Sequence, residues 1–382
     1  MSERTLLAAR YAAVYGGIFL IVGIMLPFWP LWLNSRGLDA TEIGIVFALG
    51  AWVRVLTDPI VTHTADRTGN GRLMLIVCAG LCTAGFTGFV LAWGFWPIAL
   101  VTLFQSMCLR ALIPLSESQT MAAVLSDGLD YGRIRLWGSI TFILGALGTG
   151  RLLAAGDPDM VLWLVIGAAA LTFGSTLILP KRRGRRFEGG AGAILPLLRN
   201  RPVLLFLLAA SLVQASHAVL YGFGTLHWKA AGHGETLIGW LWAGSVIVEI
   251  ALFAVSGPIV ARAGSVRLLM LAALCGVARW ILFASSTALP ALVAGQILHA
   301  ATFAAAHLAT MHFIARHAPP GLSATLQGVY AALSGTVMGM AMLASGRLYA
   351  ELAGGAFLPM AAMCAVSGCV SLVLWTVLRQ RD

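Results

Sequence analysis

The chain has 382 residues, of which 59% are hydrophobic and only 10% are charged, and its mean hydropathy is +0.88. This composition excludes an ordinary soluble domain and is typical of a protein that crosses a membrane many times. The net charge of +10 would suit nucleic-acid binding. The basic residues are arranged as in a membrane protein, however, so we do not expect nucleic acid as a partner.

Twelve apolar stretches are long enough to span a bilayer, which requires roughly 20 residues in a helix. Each is predicted to be a helix, because lipid offers no hydrogen-bond partner to an unpaired backbone group. In chain order they lie at about residues 10–33, 41–62, 72–93, 97–124, 134–155, 160–179, 203–230, 236–260, 267–286, 289–316, 323–350 and 355–378. The sequence therefore predicts an all-α integral membrane protein with twelve transmembrane helices.

The two halves of the chain resemble each other at an offset of 195 residues. The matching positions are Gly37, Thr41, Ile43, Gly44 and Ala48 in the first half and Gly232, Thr236, Ile238, Gly239 and Ala243 in the second. A repeat of half the chain length indicates two related units, and such pairs are usual in secondary transporters. We predict two pseudo-symmetric six-helix bundles, residues 1–180 and 203–382, joined by a basic cytoplasmic linker at 181–202.

The basic residues predict the orientation of the chain. If the N-terminus is cytoplasmic and the helices alternate, eighteen Lys and Arg lie on the cytoplasmic side and four on the other. This asymmetry follows the positive-inside rule, so both termini are predicted to lie on the cytoplasmic side of a cell inner (plasma) membrane. The run of cations from Lys181 to Arg186 is expected to contact anionic membrane lipid. We expect a monomer.

The loop between the second and third predicted helices carries a motif. Residues 65–69 (ADRTG), followed by Arg72, resemble the signature loop of the major facilitator superfamily, in which an Asp and basic residues latch helix ends on the cytoplasmic side. In the second half Ala261 takes the place of the Asp. The resemblance implies a gating role for the charged residues at the cytoplasmic helix ends, which are Asp66, Arg67, Arg72, Arg133 and Arg135.

Several further motifs resemble a narrower group, the phenylpropionate permeases, which are relatives of the lactose permease and of nucleoside/proton symporters. They lie in this order along the chain: residues 130–139 (DYGRIRLWGS), 214–218 (QASHA), 221–223 (YGF), 276–280 (GVARW) and 296–299 (QILH). The resemblance implies twelve helices in the major facilitator fold and proton-coupled uptake of a small organic solute. A phenylpropionate-like aromatic acid is the substrate that it suggests.

Two opposite charges fall at the same depth of the second half. Glu249 in the eighth predicted helix and Arg279 in the ninth each lie about twelve residues from the cytoplasmic end of their helix, which is roughly 18 Å. Charges inside a membrane are costly and are often functional. An ion pair is therefore possible, in which Glu249 carries the transported proton and Arg279 favours its ionised form. The alternative is a permanent structural pair.

Three more charges lie in helices of the first half. Arg54 stands 195 residues before Glu249; it either binds an anionic substrate, closes a gate, or pairs with Asp58 one turn away. Arg110 and Glu117 share one face of the fourth helix, roughly 10 Å apart. Glu117 is a second candidate proton carrier. Arg110 is a candidate anchor for a substrate carboxylate, or else a structural ion-pair partner.

Polar stripes follow the seventh and tenth predicted helices. Their members are Gln214, His217, Tyr221 and Trp228 on the seventh and Gln296, His299, Phe303, His307 and Thr310 on the tenth. The resemblance implies that these two helices line the substrate cavity, so we expect Gln214, His217, Tyr221, Gln296, His299 and His307 to contact substrate. The histidines either bind substrate and relay protons or hydrogen-bond neighbouring helices. No zinc spacing is present, and neither a metal nor a cofactor is expected.

These observations predict a secondary active transporter that couples uptake of a small organic solute to proton entry by alternating access. Its partners are the solute, the proton and membrane lipid. One alternative is a proton-driven exporter of drugs or sugars, and another is a membrane enzyme or a non-transporting receptor. We predict that the chain is not an enzyme, because we find no nucleophile–base motif or phosphate-binding loop in the sequence.

Overall fold

The computed structural model describes residues 3–181, 200–319 and 322–379, and all regular secondary structure in these residues is helical. Eleven stretches are long and apolar enough to cross a membrane. The last of them, Thr325–Val377, is 53 residues long and contains two helices separated by a 3-10 turn at Ala353–Ala356. The described chain therefore crosses the membrane twelve times, which confirms the predicted fold class.

Six uninterrupted helices form the first half. They are α1 (Glu3–Ser35), α2 (Ala40–Thr68), α3 (Gly71–Gly88), α4 (Phe95–Asp127), α5 (Tyr131–Leu153) and α6 (Asp159–Leu177). Helix α2 shows how the sequence sets such limits. It begins at a capping box in which Asp39 and Glu42 each accept a backbone N–H of the other, and it ends at Gly69, whose φ of 66° suits glycine.

Within the described residues 200–319 and 322–379, the second half contains nine helices in six spans. They are α7 (Arg201–Ala215), α8 (Ala218–Ala230), α9 (Glu235–Ala254), α10 (Ser256–Ala263), α11 (Ser265–Ser285), α12 (Leu289–Ile297), α13 (Ala306–His317), α14 (Ser323–Leu352) and α15 (Phe357–Arg379). Helices α7 and α8 form the seventh span, α9 and α10 lie along the predicted eighth, and α12 and α13 form the tenth. The sequence predicted each of these spans as continuous; the structure interrupts all three.

The interruptions have local causes. Between α7 and α8 the Ser216 hydroxyl donates to Val213 O, and the His217 Nδ1 lies 3.2 Å from the carbonyl oxygens of Val213 and Gln214. Side chains that bond to preceding carbonyls in this way bend helices. In the tenth span, residues Ala300–Ala305 form a π-helical turn between α12 and α13, and such turns are frequent at functional sites.

The chain divides into two compact units. The first comprises Met1–Glu188 with Gly232–Ala243, and the second comprises Gly189–Ala231 with Gly244–Asp382. The boundary between the units therefore falls within α9.

Small residues allow close helix packing in each unit. In the first unit α1 packs against α5 at Gly23, where an added Cβ would lie 2.4 Å from Phe142 O. In the second unit α11 packs against α15 at Gly276, where an added Cβ would lie 2.5 Å from Cys364 Sγ. A larger side chain at either glycine would force the two helices apart, as expected for helix contacts in membranes.

Candidate functional site

A fully buried guanidinium is the centre of a polar cluster in the second unit. Arg279 on α11 is 0% exposed. Its Nη1 donates to Thr302 Oγ1 at 2.9 Å, to His217 Nε2 at 3.1 Å and to His299 Nδ1 at 3.3 Å, and its Nη2 donates to Gln296 Oε1 at 2.9 Å. All four partners are neutral acceptors, so these hydrogen bonds engage both Nη atoms without balancing the charge, and the buried Nε has no hydrogen-bond partner among the described residues.

The break in the seventh span sets the protonation of His217. Its Nδ1 faces two backbone carbonyl oxygens, which only accept hydrogen bonds, so Nδ1 carries the hydrogen. Its Nε2 is then free to accept from Arg279 and from the Thr302 hydroxyl, which lies 3.3 Å away. The fold therefore holds this imidazole as one neutral tautomer.

His299 has the opposite tautomer and joins the cluster to a carboxylate. Its Nδ1 accepts from Arg279, so the hydrogen of the neutral ring lies on Nε2. That nitrogen is 3.6 Å from Glu249 Oε2 on α9. The three side chains form a row in which the imidazole separates the carboxylate from the guanidinium. The sequence placed Glu249 and Arg279 at one depth, and the structure brings them into one cluster through His299 rather than as a direct pair.

Exposure changes along this row. The Glu249 side chain is 18% exposed and that of His299 is 8% exposed, whereas Arg279 is completely buried. The carboxylate is therefore the least buried end of the row, and the imidazole lies between it and the guanidinium.

Aromatic rings surround the cluster. The Arg279 Cζ lies 4.6 Å from the centre of the Trp280 ring, within the range of a cation–π contact. The His217 ring stacks on Tyr221 at 5.4 Å and the His299 ring stacks on Phe303 at 5.2 Å. Tyr221 also lies within electrostatic range of Arg279 and Glu249. These rings fix the imidazoles in place and give the cluster an apolar wall.

Sequence reasoning missed two members of this cluster. Thr302 lies three residues after His299 and is 0% exposed; the helical spacing of the polar stripe was the signal that could have found it. Trp280 donates from Nε1 to Ser216 Oγ at 2.9 Å, and nothing in the spacing points to that bond. Of the other predicted substrate residues, Gln214 contacts His217 through its backbone carbonyl, and His307 is exposed on α13.

The first unit contains a different arrangement of charges. Arg54 Nε donates to Asp58 Oδ2 at 2.9 Å, which confirms the local pair that the sequence offered as one of its alternatives. Arg110 on α4 is exposed and lies within electrostatic range of both residues. Arg54 therefore already has a carboxylate partner on its own helix, and Arg110 lies near this pair.

Glu117 belongs to another group, although it shares a helix with Arg110. The Tyr131 hydroxyl donates to Glu117 Oε1 at 3.5 Å, and the Tyr131 ring meets the Tyr15 ring edge-on at 6.5 Å. Arg135 lies within electrostatic range of Glu117, with its Cζ 5.8 Å from the Tyr15 ring. The structure thus groups Glu117 with residues of α1 and α5.

Two of the residues predicted as gates make contacts inside the first unit. Arg72 at the start of α3 donates to Leu179 O at 2.7 Å and to Leu177 O at 2.8 Å, so it caps the end of α6. Arg133 pairs with Asp130 at 3.3 Å, and both side chains are exposed.

The remaining predictions for the cytoplasmic helix ends concern the signature loop and the linker. Arg67 is exposed at the end of α2. The Asp66 side chain and most of the basic linker at 181–202 fall outside the described residues. A gating role for the loop stays a prediction. Within the described residues no group of three or more His, Cys, Asp or Glu side chains could hold a metal ion.

The chain is similar to transporters along almost its full length. A family model described as the MFS_1 like family matches residues 8–358. A probable 3-phenylpropionic acid transporter of Escherichia coli (strain K12) is 33% identical over 366 residues, covering 93% of this chain and 94% of that protein. The maltose permease of Geobacillus stearothermophilus is 26% identical over 364 residues, covering 94% and 91%.

Solved structures share the fold. The crystal structure of the nucleoside transporter NupG matches with a TM-score of 0.84 at 18% identity, covering 97% of this chain and 99% of that one. A bacterial homologue of the human lysosomal transporter Spinster, solved in an inward-facing and unoccupied conformation, matches with a TM-score of 0.74 at 13% identity and covers 98% of each chain. At these identities the likeness concerns the fold alone.

Proposed function

Because the chain belongs to the MFS_1 like family of transporters within the major facilitator superfamily, we propose that it is a proton-coupled symporter. It takes up a small organic solute by alternating access, and the solute is an aromatic acid resembling phenylpropionate. The relative of 33% identity, a probable 3-phenylpropionic acid transporter, supports this substrate class.

The row formed by Glu249, His299 and Arg279 carries the proposal. A symporter needs a group inside the membrane that gains and loses a proton, and ionisable side chains there are costly unless they serve a function. Glu249 is such a group, and it is the least buried member of the row. Its 3.6 Å separation from the His299 Nε2 gives it a partner whose tautomer Arg279 fixes.

The mechanism follows from the charge on Glu249. Ionised, the carboxylate lies 3.6 Å from the His299 Nε2 and balances part of the charge on Arg279. Protonated, it is neutral, and its transfer into a site closed to water costs far less. A carrier with its proton and substrate bound therefore changes conformation more readily than one with either alone, which is the requirement for coupling.

The aromatic wall of this cluster suits an aromatic solute. Tyr221 and Phe303 are half-buried, and their rings offer faces for stacking beside the imidazoles. In this reading Tyr221 and His299 contact the substrate, while Gln296 and His217 position Arg279. Arg110 in the first unit remains a second candidate for the substrate carboxylate, since Arg54 is engaged by Asp58.

We further propose that the chain lies in the inner membrane as a monomer with both termini in the cytoplasm. The excess of Lys and Arg on that side supports this orientation. Fusions of a cytoplasmic and a periplasmic reporter to the C-terminus distinguish the two orientations, and activity of the periplasmic reporter alone would reverse the assignment.

Uptake into proteoliposomes tests the function. We expect 3-phenylpropionate to accumulate when the outside is acidic, and a protonophore to abolish the accumulation. Glu249→Gln should lose accumulation and retain exchange of internal for external substrate. Glu117→Gln is the matched control and should accumulate substrate as wild type does. If instead Glu117→Gln loses accumulation and Glu249→Gln keeps it, the proton carrier is Glu117. Maltose and a nucleoside, tested in parallel, show whether the substrate is neutral instead.

A further inference from the structure

One imidazole N–H stands between the solvent-exposed and buried ends of the cluster. The His299 ring gives its Nδ1 lone pair to Arg279 at 3.3 Å and directs its Nε2 toward Glu249 Oε2 at 3.6 Å. A neutral imidazole has a single N–H. The Nε2–H of His299 can therefore donate a strong hydrogen bond to only one acceptor at a time.

The buried positive charge of Arg279 requires a negative charge close to the His299 Nε2–H. The guanidinium is completely buried among neutral acceptors, and a buried charge without a counter-charge is strongly unfavourable. The carboxylate nearest to it along the row belongs to Glu249. When Glu249 takes up a proton, the cluster is left with a net positive charge in a region of low dielectric constant, where another anion is attracted strongly.

We propose that the His299 Nε2–H is the binding point of the substrate carboxylate, and that the substrate takes this place only when Glu249 is protonated. This inference rests on the proposed function and deepens it. Two carboxylates compete for one donor, so the binding of one proton and the binding of one monocarboxylate require each other. The loaded site then carries the same charge as the empty ionised site, and transport of a monocarboxylate is electroneutral.

The surroundings of Glu249 are consistent with this exchange. Among the described residues, His299 lies 3.6 Å from Glu249 and Tyr221 lies within electrostatic range of it, while Arg279 and His217 follow beyond His299 in the cluster. Both histidines act as acceptors toward Arg279, so a second proton on either ring would break a hydrogen bond to the guanidinium and place two cations together. The proton is therefore best accommodated on Glu249.

The same geometry selects the chemical class of the substrate. The Phe303 ring lies parallel to the His299 ring, with 5.2 Å between centres, so an apolar aromatic face borders the N–H. A carboxylate on a short chain that ends in an aromatic ring fits a donor with a ring beside it. The amide of the same acid has the same size but lacks the negative charge, so it should bind poorly.

Equilibrium binding to the purified full chain in lipid nanodiscs tests the exchange. The ligands are 3-phenylpropionate and its neutral amide, 3-phenylpropionamide, at pH 5.5 and pH 8. We expect wild type to bind the acid at least tenfold more tightly at pH 5.5 than at pH 8. Glu249→Gln imitates the protonated carboxyl, so it should bind the acid tightly at both pH values.

A second variant tests the donor itself. His299→Phe keeps a ring against Phe303 but removes both nitrogens, and we expect roughly tenfold to hundredfold weaker binding of the acid, the range of a hydrogen bond to a charged group. Binding of the amide should hardly change. His312→Phe, at an exposed histidine of the same span, is the matched control and should bind the acid as wild type does.

The outcomes separate this inference from the proposed function. If wild type binds the acid but Glu249→Gln retains the wild-type pH dependence, the competition is refuted and the symporter proposal stands. A transport current during uptake of the acid, recorded on a solid-supported membrane, would equally overturn the electroneutral exchange. If wild type binds no aromatic monocarboxylate at either pH, the proposed substrate class fails, and the inference fails with it.

Discussion

The two units place a charge at corresponding positions but hold it in different ways. In the first unit Arg54 pairs with Asp58, one turn away on the same helix, at 2.9 Å. In the second unit Glu249, 195 residues later, meets His299 of the tenth span and through it Arg279 of the ninth. A pair within one helix keeps its geometry when helices move relative to each other. A row that joins three spans does not, so it responds to conformational change.

This difference assigns unequal roles to the units. Two cations of the first unit are satisfied locally, Arg54 by a neighbour on its own helix and Arg72 by the end of α6. The cluster of the second unit depends on the breaks in the seventh and tenth spans, which bring His217 and Thr302 to Arg279. We therefore expect substitutions in the second unit to change coupling, and equivalent ones in the first to change mainly stability.

The largest effect is expected at Arg279. Arg279→Lys keeps a positive charge but cannot reproduce a fork that reaches four acceptors, so uptake of 3-phenylpropionate should fall at least about a hundredfold, the loss of two hydrogen bonds of charged type. Arg279→Met should lose uptake as well and should lower the free energy of unfolding by roughly 1–3 kcal/mol, because it leaves buried acceptors unpaired while removing a buried charge that has no direct counter-charge. Initial rates of uptake and thermal unfolding in detergent measure both. Wild-type rates in Arg279→Lys would show that charge alone matters.

Thr302→Val tests the cluster without removing a charge. The Thr302 hydroxyl accepts from Arg279 at 2.9 Å, whereas the Thr310 hydroxyl donates to Ala306 O within its own helix at 2.7 Å. Both side chains belong to the tenth span and are fully buried, so Thr310→Val is a matched control. We expect about tenfold slower uptake for Thr302→Val, equivalent to one hydrogen bond to a charged group. Equal rates for the two variants would contradict a special role of the cluster.

The cluster around Arg279 shows most clearly what could and could not be predicted from the sequence. Charged residues are rare in transmembrane spans, so their presence in the sequence was enough to identify Glu249 and Arg279 as candidates. Counting residues from the helix ends placed the two at the same depth. Counting residues does not show how each helix is rotated about its own axis, so it could not place His299 between Glu249 and Arg279. It also assumed regular helices. The π-helical turn at Ala300–Ala305 shifts the residues that follow it by part of a turn relative to a regular helix, so counting could not give the direction of His307.

The pair Arg54–Asp58 was easier to foresee because a spacing of four residues fixes it within a single regular helix. The fold class was also accessible, since length and hydropathy determine how often a chain crosses a membrane. The seventh and eighth spans were predicted as continuous because apolar composition says nothing about side chains that compete for carbonyls, as Ser216 does. Contacts within one helix can be predicted from residue spacing, whereas contacts between spans depend on how the helices pack against each other.

A smaller effect, on stability alone, is expected at Arg36 in the first unit. This side chain is buried and pairs with Asp159 at 2.8 Å, while Arg133 pairs with Asp130 at 3.3 Å on the surface. Arg36→Gln should lower the free energy of unfolding by roughly 1–3 kcal/mol, and Arg133→Gln by less than about 0.5 kcal/mol. Thermal unfolding measures both changes. The coupling of uptake to the proton gradient should survive in each, and its loss in Arg36→Gln would assign this pair to the transport cycle.

The smallest effect is expected at Arg54. Its guanidinium is partly exposed and bound to a carboxylate on its own helix, so a double-mutant cycle of Arg54→Gln and Asp58→Asn should give a coupling energy near 0.3–0.5 kcal/mol, the value typical of an exposed pair one turn apart. Binding of 3-phenylpropionate to Arg54→Gln should weaken less than about threefold, because a residue already neutralised by its neighbour has little attraction left for a second anion. A loss of tenfold or more would mean that the substrate displaces Asp58 as it displaces Glu249, and the two units would then handle charge by the same exchange.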